Sequence, residues 1–510
     1  MSTSDNDRRT PIHRRWGPGT PAFRAHLALP LLLACNGQEA PPGDVQDTHP
    51  TDTALPPTGG LAATVAPSPF VPAVAIVSFA GEGLASVEFG LEGAFDRVSP
   101  VESGGATHAI PLIGLKASHT YDWRAVLTVG ADRLVSEPGT FTVPPSPVAP
   151  LTPTVGDGTS FPGWVMLTVL SAAPPGEAVV GFFDADGDWV WWIDSPGKGI
   201  VSSRFGNDGK SIVYAEYAND DGVDEGHLVR QSIDGRTRTE TRILRGHHDF
   251  VERPDGTFAF LSMDFQELDM GLPQPVKFGA DVIRTVPEGQ TDADPAPAVV
   301  FSTFEDYSTV EPSFVCAHVQ PTAENIGPKL GEPAVLEWTH GNSLVYLEAE
   351  NAYYLNARYT DWLLKIDATT GAVIWQLNAP NTHFAQAGDL WSHAHLSDLW
   401  ADGALVFDNG DHYAPPKSRI VQVGWDEGPA MTAQVELAID PPAGAGFATA
   451  LGDARRMPDG RILGAWGNLG FVDVYNSDGS GPVWEARVAS PQFAARLRYT
   501  ESLVALPDED

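Results

Sequence analysis

Two histidines, His248 and His395, each stand eight residues ahead of the glycine of an Asp-Gly turn (Gly256 and Gly403). A third, His340, opens the strand between them in Glu337-Trp338-Thr339-His340-Gly341-Asn342. Matched spacing on a repeated element would bring imidazoles to equivalent points. The strand after His340 closes with Asn356-Ala357-Arg358, so a guanidinium and a carboxamide accompany the three rings. Imidazole, with a pKa of about 6.5, is largely neutral at neutral pH and can attack an electrophile or carry a proton. Arginine presents a fixed fork of donors whose charge cannot be lost, which fits a tetrahedral oxyanion. Such a set suits an anionic ester.

The elements that must position these residues read as strands. The chain carries 51 Gly, 44 Pro and 14 Trp with 42% hydrophobic residues, a composition of many turns and flat aromatic packing that favours short strands. From about Ser160 a unit recurs. Its inner turns are Asn207-Asp208-Gly209, Pro254-Asp255-Gly256, Asp402-Gly403 and Pro458-Asp459-Gly460; its outer hairpins are Asp184 to Gly187, Ile233 to Gly235, Ile366 to Gly371 and Asn476 to Gly479. With the stretch around Asp281-Val282-Ile283 taken as one more outer hairpin, the count is about six blades of a β-propeller. The final strand, around Ala494 to Leu506, is expected to complete the first blade. In a propeller the start of each innermost strand faces the axial funnel, and His248, His340 and His395 are expected there, with Val201 and Gly452 at the same place in other blades.

Between Leu61 and about Pro145 the alternating segments Ala73 to Val77, Ala85 to Phe89 and Tyr121 to Leu127 predict a small β-sandwich, and Leu115 to Tyr121 resembles the fibronectin type III corner in which a Tyr bonds back to an upstream backbone group. His108 and His119 read as surface residues of this spacer. Residues 36–60 hold no Phe, Trp or Tyr and read as a flexible tether. The expected fold class is therefore all-β, a six-bladed β-propeller over 149–510 with an N-terminal fibronectin III/Ig-like β-sandwich over 61–148.

At 510 residues the chain exceeds what one hydrophobic core usually serves. A formal charge of -35 argues against binding nucleic acid or an acidic membrane through a broad basic surface. An anionic substrate then needs a locally positive pocket. Of the two cysteines, Cys35 follows the apolar run Leu27 to Ala34 behind Arg8, Arg9, Arg14, Arg15 and Arg24. Residues 1–35 resemble a bacterial lipoprotein signal whose lipobox is Leu32-Leu33-Ala34-Cys35, with the true start downstream of Met1 as an alternative. Acylation of Cys35 would leave Cys316 without a partner, and Asn36 after the Cys leans toward an outer-membrane destination in the periplasm or at the cell surface. Membrane attachment is expected only through that anchor.

Over most of the chain the residues resemble the bacterial arylsulfate sulfotransferases, a family of six-bladed propellers with a small N-terminal sandwich. The carriers are Gly246-His247-His248-Asp249-Phe250, Glu337 to Ser343, Asn356-Ala357-Arg358, Leu364 to Asp367 with Gly371 to Trp375, Phe407-Asp408-Asn409-Gly410 and Gly452 to Gly460. The resemblance implies transfer of a sulfuryl group from a phenolic sulfate ester to a phenolic acceptor, without an adenylyl sulfate donor and without a cofactor. It implies His395 as covalent nucleophile, His248 or His340 as general acid and then base, Asn342 and Arg358 on the sulfuryl oxygens, and ping-pong kinetics. The family usually writes Gln-His at the nucleophile; this chain writes Trp391-Ser392-His393-Ala394-His395. His393 offers an alternative nucleophile, on the same side as His395 if the two share a strand.

Other readings compete. The histidines could bridge blades structurally, or bind Zn²⁺ through three imidazoles, although no metal is expected here. Ile366 to Trp375 resembles the tryptophan-docking motif of quinone-dependent propellers, but Trp189, Trp191, Trp192, Trp375 and Trp484 read as packing residues. His247 and His393 read as packing or hydrogen-bonding neighbours of the site. A tethered, non-catalytic binding propeller is the non-enzyme alternative, favoured by the absent Gln.

Overall fold

A computed structural model describes residues 60–507 apart from 173–174, 196–197, 219–225, 270–272, 308–334, 379–381 and 491. Cys35 and Cys316, and with them the signal and tether expectations, lie outside the described residues. The described chain is all-β: antiparallel sheets carry almost everything, with one helical turn at Thr303–Asp306 and one 3-10 turn at Glu348–Glu350.

Residues Pro56–Asp510 form one compact unit. Its first part holds two sheets, one of strands Ala63–Pro67, Ala75–Ala80 and Thr107–Leu112, the other built around Leu84–Leu91 and Thr120–Val129. Alternation decides which face is buried, since successive side chains of a strand point to opposite sides. Val77, Phe79 and Ile110 from one sheet and Val87, Phe89 and Trp123 from the other enter a common apolar cluster. The Lys116 N–H donates to the Tyr121 hydroxyl at 2.9 Å, the corner bond that the spacing around Tyr121 predicts. His108 is buried rather than at the surface: a ring nitrogen bonds Gly81 O at 2.9 Å and the ring packs on Phe79. Lys116 joins this part to the first of the larger sheets, its ammonium lying 2.8 to 3.0 Å from Asp184, Asp186 and Asp188 in the hairpin after Pro175–Phe183.

The recurring unit of the sequence is an antiparallel sheet of four principal strands. Sheet I has Trp164–Ala172, Pro175–Phe183 and Trp189–Asp194; sheet II runs from Lys198 to Arg242, sheet III from Gly246 to Ser302, sheet IV from Gly341 to Leu377, sheet V from His395 to Ile439 and sheet VI from Asp453 to Arg487. The fourth strand of sheet I is the last of the chain, Gln492–Thr500, which pairs antiparallel with Trp164–Ala172. The strands leading sheets II to VI and Gln492–Thr500 each touch the next, and the sixth touches the first, in a closed cycle. Between neighbouring sheets lie flat rings, Phe205 against Phe182 and Trp375 against Trp425, and within sheet I Trp191 meets Phe182 edge to face. Trp189, Trp191, Trp375 and Trp484 are fully buried, as packing residues.

One boundary differs from expectation. Asp281-Val282-Ile283 is not an outer hairpin but the middle of the third strand of sheet III, Val276–Pro287, paired along its full length with Thr257–Leu268. The Pro- and Asp-rich residues that carry the turn signal are 288–297, one connection later.

Candidate active site

The leading strands begin with irregular backbone, and that irregularity aims the histidines. His248, His340 and His393 all hold left-handed conformations, with φ of 53°, 53° and 52°. By backbone conformation His393, not His395, is therefore the counterpart of His248 and His340; the equal spacing to the Asp-Gly glycine does not mark an equal position. The reason is register. Sheet III carries an irregularity between Gly246 and Phe250, at its histidine, whereas sheet V carries its own between Leu396 and Asp398, beyond His395. His395 is the first residue of its regular strand and His393 precedes it, so period-two alternation does not relate them.

Side chains still bring His395 to the other two. His248 and His340 meet edge to face with ring centroids 4.6 Å apart. His395 is buried and His248 part-buried, and both feel Arg496 and neighbouring rings. Burial is the main cause that holds the His395 ring well below the usual histidine pKa; the Arg496 and Arg358 charges add to it, and the bond to Asn409 opposes it. Burial likewise depresses His248, followed by His340, His247, His395 and Arg496. These two rings are thus neutral, unprotonated bases at neutral pH.

The tautomer of His395 is set by Asn409. Asn409 donates its amide hydrogens to the carbonyls of Ala448 at 2.9 Å and Leu451 at 3.1 Å, so its oxygen is the atom 2.9 Å from His395 Nδ1. An amide oxygen only accepts, so Nδ1 carries the proton and Nε2 holds the lone pair. Gly452 follows the Leu451 carbonyl that accepts from Asn409. Its φ is +115°, and a Cβ there would overlap the Phe407 ring.

Around the other rings the partners are acidic. Nδ1 of His340 lies 2.9 Å from the buried Glu337 carboxylate, and its ring stacks on Tyr359. Nδ1 of His248 faces Nδ1 of His247 at 3.0 Å, and Nε2 of His247 faces Asp281 at 3.3 Å. Asp281 accepts from Thr339 Oγ1 and from the Gly341 N–H at 2.6 Å, which ties sheet III to the start of sheet IV. Burial raises Asp281 and lowers His247, each against the attraction of the other, so burial resists charge separation in this pair.

Arg358 donates to Thr449 O at 3.0 Å and lies 3.6 Å from Asp411. Asn342 is placed differently from a ligand-binding amide. It donates to Ala394 O at 2.9 Å and accepts from Asn356 at 2.8 Å, while Asn356 also donates to Ala394 O at 2.6 Å. The two amides thereby fix the peptide just before His395.

Arg496, from the closing strand, is the cation that sequence reasoning missed; it donates to Asn342 O at 2.6 Å and Ser343 Oγ at 3.1 Å. Below it, Asp249 accepts from Ser202, Arg204 and the Leu344 N–H. Burial alone would raise that carboxyl, but Arg204 and Arg496 lead the interactions that hold it at about 2. Asn409 had a signal, since it sits in the motif Phe407 to Gly410; Arg496 lies in the final strand expected to complete the first blade, but no local motif marked it as a site residue. A cavity of about 400 Å³ lies at the opposite ends of the leading strands, lined by Asn207, Glu252 and Pro254.

Comparison with known proteins gives the family of the chain. The family model for arylsulfotransferase (ASST) matches residues 166–472. The chain belongs to the arylsulfotransferase family. Membership makes it a sulfotransferase of aryl substrates, with small-molecule aryl sulfates and phenols as the substrate class. No curated protein matches it. Solved structures similar to it include a provisionally assigned 6-phosphogluconolactonase from Bacteroides uniformis, at 11% identity over 82% of this chain and 100% of that one with a TM-score of 0.32. Another is Kluyveromyces lactis Hsv2, at 10% identity over 62% and 95% with a TM-score of 0.28. His248, His340 and His395 all fall inside the matched segment, whereas Arg496 lies beyond it.

Proposed function

We propose that the protein moves a sulfuryl group from a phenolic sulfate ester to a phenolic acceptor by a ping-pong reaction through a sulfohistidine at His395. The observation that carries this is the Asn409 bond at Nδ1, which leaves the lone pair of a buried, neutral imidazole on Nε2. Nε2 attacks sulfur, an N–S bond forms, and the S–O bond to the phenol breaks. The departing phenolate, from a phenol of pKa about 10, takes a proton from His340, whose imidazolium the Glu337 carboxylate at 2.9 Å can hold, while the neutral His248 ring packs against it. In the second half the same imidazole accepts the proton of the acceptor phenol, whose oxygen attacks sulfur and returns His395 to neutrality. Arg358 and Arg496 stabilise the charge on the sulfuryl oxygens, the larger part of catalysis for a loose transition state. Asn342 acts through the peptide before His395 rather than on the substrate.

Release of 4-nitrophenolate from 4-nitrophenyl sulfate, with and without added phenol, tests the reading. Acceptor-dependent release that vanishes in His395→Ala and persists in His393→Ala is expected, together with acid-labile ³⁵S on the native chain after donor alone. Release that survives His395→Ala overturns the assignment. Absence of release from folded protein favours a binding propeller.

The same reading includes the scaffold and its address. The closed cycle of leading strands supports a six-bladed β-propeller over 149–510 with the fibronectin III-like sandwich over 61–148 before it. The lipobox supports export as a lipoprotein acylated at Cys35 and anchored to the outer membrane. Labelling with radioactive palmitate that is lost in Cys35→Ser is the expected result; equal labelling of the variant contradicts the anchor.

A further inference from the structure

His393 shares no role with His395. Its ring is nearly fully buried, with 2% of the side chain exposed, and it turns to a second cluster made by Asp361, Asp411 and His412. Among the described residues, this is the imidazole-containing group whose ligand atoms lie together, those of Asp361, His393 and His412 all within 4.8 Å of one another; the trio of His248, His340 and His395 forms no such group. The pieces are held from three directions. Asp361 follows the strand carrying Arg358, takes φ of 59°, and accepts the His393 N–H on Oδ1 at 2.6 Å. That leaves Asp361 Oδ2 facing His412 Nδ1 at 3.2 Å. The His412 ring meets the His393 ring edge to face at 4.6 Å, and the backbone N–H of His412 donates to Ser392 Oγ at 3.0 Å.

The distances point away from simple ion pairs. Charge-assisted N–H···O bonds close to about 2.7–2.9 Å. The ligand pair His412 Nδ1 and Asp361 Oδ2 stands at 3.2 Å. Two ligands on a tetrahedral zinc ion, with bonds of about 2.0–2.2 Å, are separated by roughly 3.3–3.5 Å. Asp411 faces His393 Nδ1 from the outside, where metal-bound imidazoles usually carry a carboxylate. Its other oxygen, Oδ1, is buried without a hydrogen-bond partner among the described residues. His412 is the exposed member, at 35%, and leaves room for a water as fourth ligand.

We infer that Asp361, His393 and His412 bind one divalent metal ion of the zinc class, with Asp411 orienting His393. The inference does not depend on sulfotransfer. It does place the ion next to the site, because Asp411 Oδ2 is also 3.6 Å from the Arg358 guanidinium. A metal that fixes Asp411 therefore fixes the position of that arginine.

The test uses the full chain, stripped with chelator and titrated with Co²⁺ and then Zn²⁺. One equivalent of Co²⁺ with the intense visible absorption of tetrahedral coordination is expected, displaced by Zn²⁺. His412→Ala and Asp361→Asn abolish the absorption, Asp411→Asn weakens binding roughly 10- to 100-fold, and His248→Ala leaves it intact. His412 is exposed and Asp361→Asn keeps the side-chain shape, so far-UV circular dichroism of both variants should match the native chain. Absence of stoichiometric binding, binding that survives both variants, or loss in His248→Ala overturns the site.

Discussion

Replacing Asn409 by Ala removes the acceptor that holds the proton of His395 on Nδ1, while leaving His395 itself in place. The bond is 2.9 Å long and buried, and the Ala448 and Leu451 carbonyls prevent the amide from presenting its NH₂ instead. Without the acceptor, a buried N–H is left unsatisfied, which costs about 1–3 kcal/mol. The ring relieves that cost by moving its proton to Nε2, the atom that must attack. Each 1.36 kcal/mol is about tenfold in rate, so kcat should fall by roughly 5- to 150-fold with little change in KM. Asn409→Asp separates this effect from lost packing. A carboxylate still accepts from Nδ1, so the tautomer is kept, but its charge raises the His395 pKa that burial and the two arginines otherwise depress. Native kcat should therefore show no acid limb from His395 near pH 6.5, the ordinary value for a histidine. Asn409→Asp should show a limb moved toward higher pH, with activity recovering above it. Initial rates of 4-nitrophenolate release from pH 5 to 9 measure both. A folded Asn409→Ala protein with kcat within about twofold of native would refute the tautomer argument.

Three further outcomes follow from buried groups elsewhere. Burial raises Asp473 to about 8 from 3.8, although Tyr475 donates to it at 2.9 Å, so the folded chain keeps a proton there that the unfolded chain has lost. Stability conferred by that proton is full below pH 3.8 and declines by about 1.4 kcal/mol per unit until pH 8; in urea titrations Asp473→Asn should match the native chain near pH 4 and exceed it by a few kcal/mol at pH 8. Gly452→Ala drives a Cβ into the Phe407 ring at a positive φ, and over-packing of that kind costs about 1–3 kcal/mol; a lower Tm and reduced kcat through the displaced Leu451 carbonyl are expected, and an unchanged Tm would contradict it. Lys116→Met leaves Asp184, Asp186 and Asp188 facing one another without their cation, so Tm should drop at low ionic strength and the deficit should shrink in 1 M salt, as differential scanning calorimetry can show.

The sequence alone determined the all-β class, the repeating turns and the Tyr121 corner, because alternation and turn chemistry are local and act within a few residues. It also pointed to His248, His340, His395 and Arg358, through motifs that each lie on one hairpin. Spacing misled where backbone irregularity intervened: His248, His340 and His393 share the left-handed conformation, yet His395 is the ring that joins the first two. The tertiary structure alone decided the roles of Asn409, Asn342 and Arg496. Asn409 matters through carbonyls at 448 and 451, Asn342 through the carbonyl at 394, and Arg496 because the last strand pairs with Trp164–Ala172 and so returns to the first sheet. Local preferences and the repeat decide which strands form and that the last one completes the first sheet, whereas the contacts within a site assembled from several sheets join side chains far apart in sequence and leave no periodic trace in the chain.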